Sequence, residues 1–276
     1  MTNKDSRYAL VTGATSGIGH EFAKLFASEG YNLIIVARKQ NELDKVAQEL
    51  NSQYGVNVVP LAKDLFDPRA PFEVYDEVKE KGLTVDVLIN DAGQGERGKF
   101  VETDLDRELD IIQLNIISLV VLTKLFLKDM VDRNEGKILQ VSSVVGQLPN
   151  PLMSVYSGTK AFVLKFSEAV INELKDTAVT MTVLQPGATE TDFFHKSGGE
   201  TSKEWQENSL ADPADVAKDG YKALMSGESK VVSGTKNKVM TAMSNVMPEQ
   251  TIASNVRKHM EESDERNRPV HNDTGE

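Results

Sequence analysis

The feature that most constrains the fold is a regular alternation of short, uniformly apolar runs with longer segments whose apolar residues recur at helical spacing. A strand that is apolar at every position must be covered on both faces, as in a parallel sheet flanked by helices. The pattern therefore predicts an α/β fold, a doubly wound parallel sheet of about seven strands with helices on both faces. The predicted strands are residues 9–11, 33–36, 56–61, 85–89, 138–141, 179–184 and 231–232.

The domain organisation follows from the same pattern. No linker or internal repeat interrupts it, so residues 1–260 are predicted to form one domain. Pro213 is expected to open a helix, with Asp212 as its N-cap. Residues 261–276 are charged, with Val270 as their one aliphatic residue, and they are predicted to form a polar, disordered tail.

Composition excludes several classes of function. The chain has no cysteine, which removes disulfides, thiolate nucleophiles and Cys-ligated zinc and fits the cytosol; no metal site is predicted. Its 42 acidic and 31 basic residues give a net charge of −11, which disfavours binding to nucleic acid. Residues 1–5 do not resemble a secretory signal, and the apolar stretch 114–127 is too short and too polar to span a bilayer. We therefore expect a cytoplasmic protein with no membrane span.

A glycine-rich loop follows the first predicted strand, with the spacing G-x3-G-x-G. Glycines allow a tight turn and let a pyrophosphate approach the backbone, while the helix N-terminus supplies free N–H groups and a positive dipole. A strand–helix turn without a ligand is the alternative, but the strand before and the helix after favour a Rossmann-type dinucleotide site. The loop residues predicted to bind the cofactor are Gly13, Thr15, Ser16, Gly17, Ile18 and Gly19.

The residues after the second predicted strand indicate which dinucleotide is bound. An NAD site places an acidic residue about 20 positions beyond the glycines, where it accepts from the ribose 2′-hydroxyl. Here the strand ends in Ala37, Arg38 and Lys39, with no acid. A charge-assisted hydrogen bond from Arg38 to a 2′-phosphate would favour NADP(H) by roughly 1.5–3 kcal/mol. Solvated loop charges are the alternative. Asp64, after the third strand, is predicted either to accept from the adenine amino group or to cap a helix.

Tyr156 and Lys160 are the candidate catalytic pair. They lie four residues apart on a predicted helix, so their side chains share one face. A free tyrosine has a pKa of about 10 and is a poor base at neutral pH, but a nearby ammonium and an oxidised nicotinamide both favour the phenolate. Such a pair is common on protein surfaces, so its neighbours in the sequence carry the argument.

Those neighbours form an ordered set of motifs. They are the glycine loop, Asn90 with residues 91–93, Asn115, Ser143, Tyr156 with Lys160, and Pro186-Gly187 with Thr191. The set resembles the short-chain dehydrogenase/reductase family, in its shorter branch, over residues 8–232. The resemblance implies an NADP(H)-dependent oxidoreductase that moves a hydride between nicotinamide and a carbonyl or secondary alcohol.

The resemblance also implies roles for individual residues. Tyr156 is similar to the general acid of reduction and the base of oxidation, and Lys160 to the group that lowers its pKa and holds the nicotinamide ribose. Ser143 is similar to the hydrogen-bond donor to the substrate oxygen. Asn115 resembles the residue that holds a water linking Lys160 to solvent, through its effect on helix geometry. The implied contacts of the cofactor on the nicotinamide side are Pro186, Gly187, Thr189 and Thr191.

Some positions keep two interpretations. Ser142 also carries a hydroxyl, although the family register favours Ser143. Asn115 also fits a buried polar group that the backbone satisfies. Asn90 is predicted either to contact the cofactor or to pin the sheet. The resemblance departs at Asp91, where the family often has a second Asn.

The substrate side is less defined. Residues 189–210 form a long connection of the kind that often acts as a lid, and His195 within it is expected to be a solvated loop residue. An apolar pocket, or alternatively core packing, is predicted for Leu148, Pro149, Leu152, Met153, Phe193, Phe194 and Trp205. The methionines at 240, 243 and 247 are interpreted as core or interface residues.

Several functions compete with the leading one. They are a 3-oxoacyl thioester reductase, which would favour a basic patch, and a non-catalytic NADP-binding sensor, which tends to lose the Tyr or the Lys. A nucleotide-sugar enzyme would need a larger C-terminal domain. The expected partners are a small, partly apolar carbonyl or alcohol and, from the family resemblance and the apolar residues Ile116, Val120 and Leu127, a second copy of the chain in a homodimer or homotetramer. Packing of these three residues against the sheet is the alternative.

Overall fold

The computed structural model has the doubly wound α/β fold, which confirms the sequence prediction. It describes residues 7–193, 197, 210–244 and 247–265, with side chains up to Lys258. Seven strands, all paired in parallel, form one sheet in the order β3-β2-β1-β4-β5-β6-β7. The strands are β1 (Tyr8–Thr12), β2 (Asn32–Ala37), β3 (Val58–Ala62), β4 (Val85–Asn90), β5 (Lys137–Val141), β6 (Thr180–Gln185) and β7 (Lys230–Val232).

Helices cover both faces of this sheet. They are α1 (Gly17–Ser28), α2 (Gln40–Tyr54), α3 (Ala70–Glu80), α4 (Leu105–Ile112), α5 (Leu119–Asp132), α6 (Ser154–Glu173), α7 (Pro213–Ser226), α8 (Thr235–Ser244) and α9 (Glu249–Glu265). Phe22 of α1, Leu43 of α2 and Leu224 of α7 pack in the core of one face. Val74 of α3 and Phe126 of α5 pack in the core of the other. The winding reverses between β1 and β4, and ligands of such sheets bind in the crevice at that reversal.

Local signals account for several helix boundaries. The Asp212 side chain accepts from the Ala214 N–H at 2.8 Å and Pro213 is the first residue of α7, as predicted. The helices α2 and α7 end at Gly55 and Gly227, whose φ angles of 70° and 76° suit glycine. Residue 58, rather than 56, begins β3.

A π-helical segment, Gln113–Ser118, joins α4 to α5. The three elements form one continuous helix, Leu105–Asp132, which is long and apolar enough by composition to cross a membrane, with a mean hydropathy of 1.8 over its most apolar window. Residues 114–127 are only the middle of this helix, so the prediction that they are too short and too polar to span a bilayer does not extend to the whole helix. Its residues Leu122 and Met130 are buried in the core beneath the sheet, as in the core helix of a globular domain.

The C-terminal region departs from two expectations. Helix α9 runs to Glu265, past the predicted domain boundary at residue 260. Met240, Met243 and Met247 are 39%, 57% and 36% exposed, so they are not core residues, and their role at an interface stays a prediction. The candidate lid is described only in part, because Phe194, His195 and Trp205 lie outside the described residues.

Candidate active site

One cleft of about 1190 Å³ runs along the carboxyl ends of the strands. A typical small-molecule pocket measures ~300–1,000 Å³, so this cleft has room for a dinucleotide and a substrate. The predicted site residues that line it are Gly13, Thr15, Ser16, Gly17, Ile18, Arg38, Asp64, Ser143, Tyr156, Lys160, Pro186, Gly187, Thr189 and Thr191. Gly19, Asn90 and Asn115 lie behind the lining.

The glycine loop leaves no room for side chains at its three glycines. Gly13 and Gly17 have φ angles of +72° and +58°, which L-residues rarely adopt. A Cβ at Gly17 would lie 2.8 Å from the Thr191 side chain, and one at Gly19 would lie 2.6 Å from the Gly13 carbonyl oxygen. The loop and Thr191 therefore pack against each other, as expected for residues that enclose one ligand.

The first turn of α1 is directed at the cleft. Ser16, its N-cap residue, is extended, and its side chain makes no capping hydrogen bond within the described residues. The first N–H groups of a helix have no intrahelical acceptor and carry the positive end of the dipole. This turn therefore offers an anion the arrangement found in dinucleotide pyrophosphate sites.

The two cations after β2 have different surroundings. Lys39 pairs with Glu42 at 2.8 Å, which offsets its charge. The Arg38 guanidinium lies over the Phe66 ring, 5.5 Å from its centroid, and makes no ion pair within the described residues. Asp64 lines the cleft and accepts from the Phe66 N–H at 3.2 Å within a turn. The predicted helix-cap role is wrong, because α3 begins six residues later with another N-cap, and the contact with adenine stays a prediction. Arg38 is thus the cation best placed for a 2′-phosphate.

The geometry favours Ser143 over Ser142 as the serine of the site. Ser142 is engaged elsewhere, since its hydroxyl donates to the Lys160 carbonyl at 2.7 Å. Ser143 Oγ lies 3.3 Å from both the Pro186 carbonyl oxygen and the Val145 N–H, and it hydrogen-bonds Tyr156. The hydroxyls of Ser143 and Tyr156 therefore meet in the cleft, where both can contact one substrate oxygen.

Tyr156 keeps its proton strongly in this environment. Burial raises the pKa of its phenol well above the ordinary value, the hydrogen bond with Ser143 lowers it, and the charge of Asp91 raises it. Lys160 was expected to lower this pKa. Its ammonium donates to the Val141 carbonyl at 2.8 Å and stands 5.8 Å from the centre of the phenol ring, and its effect on Tyr156 stays a prediction.

Lys160 itself is buried, with 6% of its surface exposed. Burial lowers the pKa of its ammonium to about 8, and the carboxylate of Asp91 opposes that shift. Gly93 lets the Lys160 ammonium pack closely against the loop after β4, since a Cβ at this glycine would lie 3.3 Å from Lys160 Nζ. The site thus contains a lysine that can exchange a proton near neutral pH.

Asn115 lies within the π-helical segment, in agreement with its predicted link to helix geometry. Its Nδ2 donates to the Gln94 carbonyl and to Thr159 Oγ1, both at 2.9 Å. Its Oδ1 accepts from the Gln94 N–H at 3.0 Å. These bonds match the alternative of a buried amide satisfied largely by backbone, and they tie the loop after β4 to helix α6.

Asn90 pins the sheet. Its buried side-chain amide donates to Thr123 and Gln140 at 3.1 and 3.0 Å, so of its two predicted roles the side chain performs the structural one.

Asp91 has a larger part in the site than the sequence indicated. It lines the cleft, and burial raises the pKa of its carboxyl to about 7, against the lowering effects of Lys160 and of the Gly19 N–H.

The wall beside Tyr156 is apolar. The Phe193 ring lies 4.9 Å from the Tyr156 ring, centre to centre, and Leu148, Pro149 and Met153 also line the cleft. A Cβ at Gly95 would lie 2.9 Å from Phe193 and 3.1 Å from Tyr156, so this glycine lets the two rings meet.

Helix α8 contributes residues to the site that were not predicted from the sequence. Asn237 occupies the space beside Gly187, where a Cβ would lie 2.3 Å from its Nδ2. Lys236 and Met240 line the same end of the cleft. The sequence carries no motif for this contact, because it joins residues about 50 positions apart that share no pattern.

Comparison with known proteins agrees with this geometry. The family model of short chain dehydrogenase matches residues 7–201. The NADP-dependent 3-hydroxy acid dehydrogenase of Schizosaccharomyces pombe is 30% identical over 241 residues, which are 85% of this chain and 93% of that protein. A short-chain dehydrogenase from Sphingobium yanoikuyae, solved in complex with NADPH, superposes with a TM-score of 0.77 at 27% identity, covering 88% of this chain and 97% of that one.

A second group of relatives is longer than this chain. The very-long-chain 3-oxoacyl-CoA reductase of Anas platyrhynchos is 37% identical over 185 residues, which are 65% of this chain and 58% of that protein. The chain therefore matches less than two thirds of the length of these relatives.

Proposed function

The chain belongs to the short-chain dehydrogenase family, whose members use a nicotinamide cofactor, and on that premise we propose that it is an NADP(H)-dependent oxidoreductase. It would move a hydride between the nicotinamide and a carbonyl or secondary alcohol. The observation that carries the proposal is the meeting of Ser143, Tyr156 and Lys160 at one end of the cleft. A non-catalytic sensor has no need of this arrangement.

The residues of the cleft fit a dinucleotide. The glycine loop is a cradle that a Cβ at Gly13 or Gly17 would fill. The first turn of α1 would hold the pyrophosphate, Arg38 the 2′-phosphate, and Thr191 with the turn at Pro186 the nicotinamide end. When bound there, the nicotinamide would supply or accept the hydride.

Side chains of the protein can supply the proton that the reduction requires. A phenol whose pKa is raised by burial is protonated at neutral pH, so Tyr156 is set to donate from its Oη to a carbonyl oxygen as negative charge develops there. The Ser143 hydroxyl can donate to the same oxygen and stabilise that charge. Lys160, with a pKa lowered to about 8, can then return a proton to the site.

A carbonyl panel followed by NADPH absorbance tests the proposal. We expect turnover of a ketone or aldehyde with apolar bulk, with NADPH preferred over NADH, and loss of turnover in Tyr156→Phe. NADPH binding without turnover of any carbonyl or alcohol would favour the sensor instead. No binding of either cofactor would exclude both functions.

A 3-oxoacyl thioester is the second candidate substrate. The similarity to 3-oxoacyl-CoA reductases favours it. The apolar residues Leu148, Met153, Phe193 and Met240, which all line the cleft, favour it too. Lys236 at the cleft is the kind of cation that a thioester carrier would contact. Relative kcat/KM for short ketones and for 3-oxoacyl thioesters of increasing chain length separates the two candidates.

We also propose that the protein is a cytoplasmic homo-oligomer without a membrane span. Ile117 and Phe162 are 43% and 40% exposed, and the Phe162 ring stacks on Phe166 at 5.8 Å. This apolar surface supports self-association better than Leu127, which packs against the core. Light scattering at micromolar concentration tests the oligomer, and fractionation of cells into membrane and soluble pools tests the location.

A further inference from the structure

The carboxylate of Asp91 lies directly beneath the glycine loop. A Cβ at Gly19 would be 2.6 Å from its Oδ2, and one at Gly13 would be 3.2 Å from it. The Gly19 N–H, in the first turn of α1, donates to this carboxylate. We propose that Asp91 is a positioning residue whose negative charge keeps Lys160 protonated and sets the pH at which Tyr156 exchanges its proton. The proposal rests on the oxidoreductase function proposed above.

The Lys160 ammonium lies against the loop that carries Asp91. Gly93, two residues after Asp91, packs against the Lys160 ammonium, which a Cβ there would approach to 3.3 Å. The charges of Asp91 and Lys160 act on each other in both directions, and the charge of Asp91 also acts on Tyr156. A carboxylate is thus coupled to both titratable members of the catalytic group.

The other elements around Asp91 contribute neutral groups. From β1, Thr12 Oγ1 accepts from the Asp91 N–H at 3.0 Å and donates to the Ile89 carbonyl. The π-helical segment contributes the Asn115 amide, and α1 contributes the Gly19 N–H. Among the described residues, Lys160 on α6 is the charged group whose field acts on Asp91. The pH dependence of this end of the cleft therefore comes from Asp91, Lys160 and Tyr156.

The sign of the effect follows from charge. A negative charge favours the protonated form of a neighbouring ammonium or phenol, so Asp91 raises the pKa of both Lys160 and Tyr156. Neutralising Asp91 lowers both values. A role confined to folding or to loop geometry predicts no such shift.

The variant Asp91→Asn separates charge from shape, because Asn keeps an oxygen for the Gly19 N–H. We expect the rise of kcat/KM with pH in alcohol oxidation to move to lower pH by about one unit, a tenfold change at a fixed pH on the rising limb. Asp86→Asn is the matched control. Asp86 is also a carboxylate whose pKa burial raises, and it accepts from the Tyr8 N–H at 3.0 Å at the opposite end of β4. An unshifted profile in Asp91→Asn, or an equal shift in Asp86→Asn, overturns the proposal.

A titration of the cofactor-free protein tests Asp91 independently of turnover. With ¹³C-labelled aspartate, the carboxyl resonance that is missing from Asp91→Asn identifies Asp91. We expect its midpoint near pH 7, as burial requires, and a higher midpoint in Lys160→Met. A midpoint near the ordinary value of about 4, or one that Lys160→Met leaves unchanged, contradicts the proposal even if the protein proves to be an oxidoreductase. If no alcohol is oxidised, the proposed function fails and this titration still decides the role of Asp91.

Discussion

The two ends of the cleft present different kinds of chemical groups to a ligand. At the glycine loop the binding groups are backbone amides of α1 and the exposed guanidinium of Arg38, which are fixed N–H donors. At the other end they are the half-buried Tyr156 and the buried Lys160, whose pKa values are displaced by removal from water. Phosphate recognition should therefore depend on shape and fixed charge, whereas chemistry should depend on pH. A substitution at one end should therefore change either cofactor binding or turnover and leave the other unchanged.

The largest effect is expected from Tyr156→Phe. The ring keeps its packing against Phe193 and loses only the hydroxyl that supplies the proton. Turnover should fall by the ~10²–10⁴-fold typical of general acid–base catalysis, measured as kcat for NADPH-dependent carbonyl reduction. NADPH affinity, measured by fluorescence quenching, should stay within about twofold of wild type, well under the ~1.4 kcal/mol of a tenfold change. A folded Tyr156→Phe protein with near-normal turnover would mean that the proton comes from another group.

Arg38→Asp should act on the other end alone. It replaces the cation by the kind of acid found in NAD sites, and loss of a charge-assisted hydrogen bond costs roughly 1.5–3 kcal/mol, or about 10–150-fold in the ratio of NADPH to NADH affinity. The measurement is kcat/KM for each cofactor with one accepted substrate. We expect kcat to change little, and an unchanged cofactor ratio would remove Arg38 from the site.

Gly17→Ala should weaken NADPH binding by at least ~10-fold, about 1.4 kcal/mol. Its Cβ would lie 2.8 Å from Thr191, so the loop must shift. Gly55→Ala is the control, since φ there is +70° and nothing lies within 4 Å of the added Cβ. Both variants should lose about 1–2 kcal/mol of unfolding free energy through left-handed strain, measured by urea denaturation. Equal NADPH affinity in the two would show that the loop tolerates a side chain.

The smallest effect is expected from Lys39→Gln. Lys39 is 65% exposed and already paired with Glu42, and exposed pairs contribute about 0–1 kcal/mol. The ratio of NADPH to NADH affinity should change by less than about threefold, or ~0.7 kcal/mol. A change as large as that in Arg38→Asp would mean that both cations hold the cofactor.

The end of the cleft at the glycine loop could be predicted from sequence, and the end at Tyr156 and Lys160 only in part. Uniformly apolar strands and the spacing of Gly13, Gly17 and Gly19 are local patterns with local causes. The catalytic pair was also predictable, because Tyr156 and Lys160 are neighbours on one helix. These features need no knowledge of what the rest of the chain places around them.

The remaining features depend on contacts between distant segments. At Asp91 the sequence shows only a departure from the family pattern, whereas the structure places its carboxylate beneath the glycine loop, where its charge and that of Lys160 act on each other. The contact of Asn237 with Gly187 depends on how α8 packs against the domain after β7. Residue type and spacing do not encode such environments, because burial and electric field arise only when the elements pack.

The π-helical segment sets a limit on how this scaffold can be edited. A π turn carries one residue more than an α turn, and each residue of an α-helix rotates the next by about 100°. Converting Gln113–Ser118 to a regular α-helix at unchanged length would turn everything after it by about that angle. Leu122 and Phe126 would then leave the core, and the chain before this segment would keep its register. The extra residue thus shifts the phase of the helix, so that Asn115 faces the loop after β4 while the later residues face the sheet. A redesign that makes this helix regular would lose either the contact of Asn115 or the packing of α5.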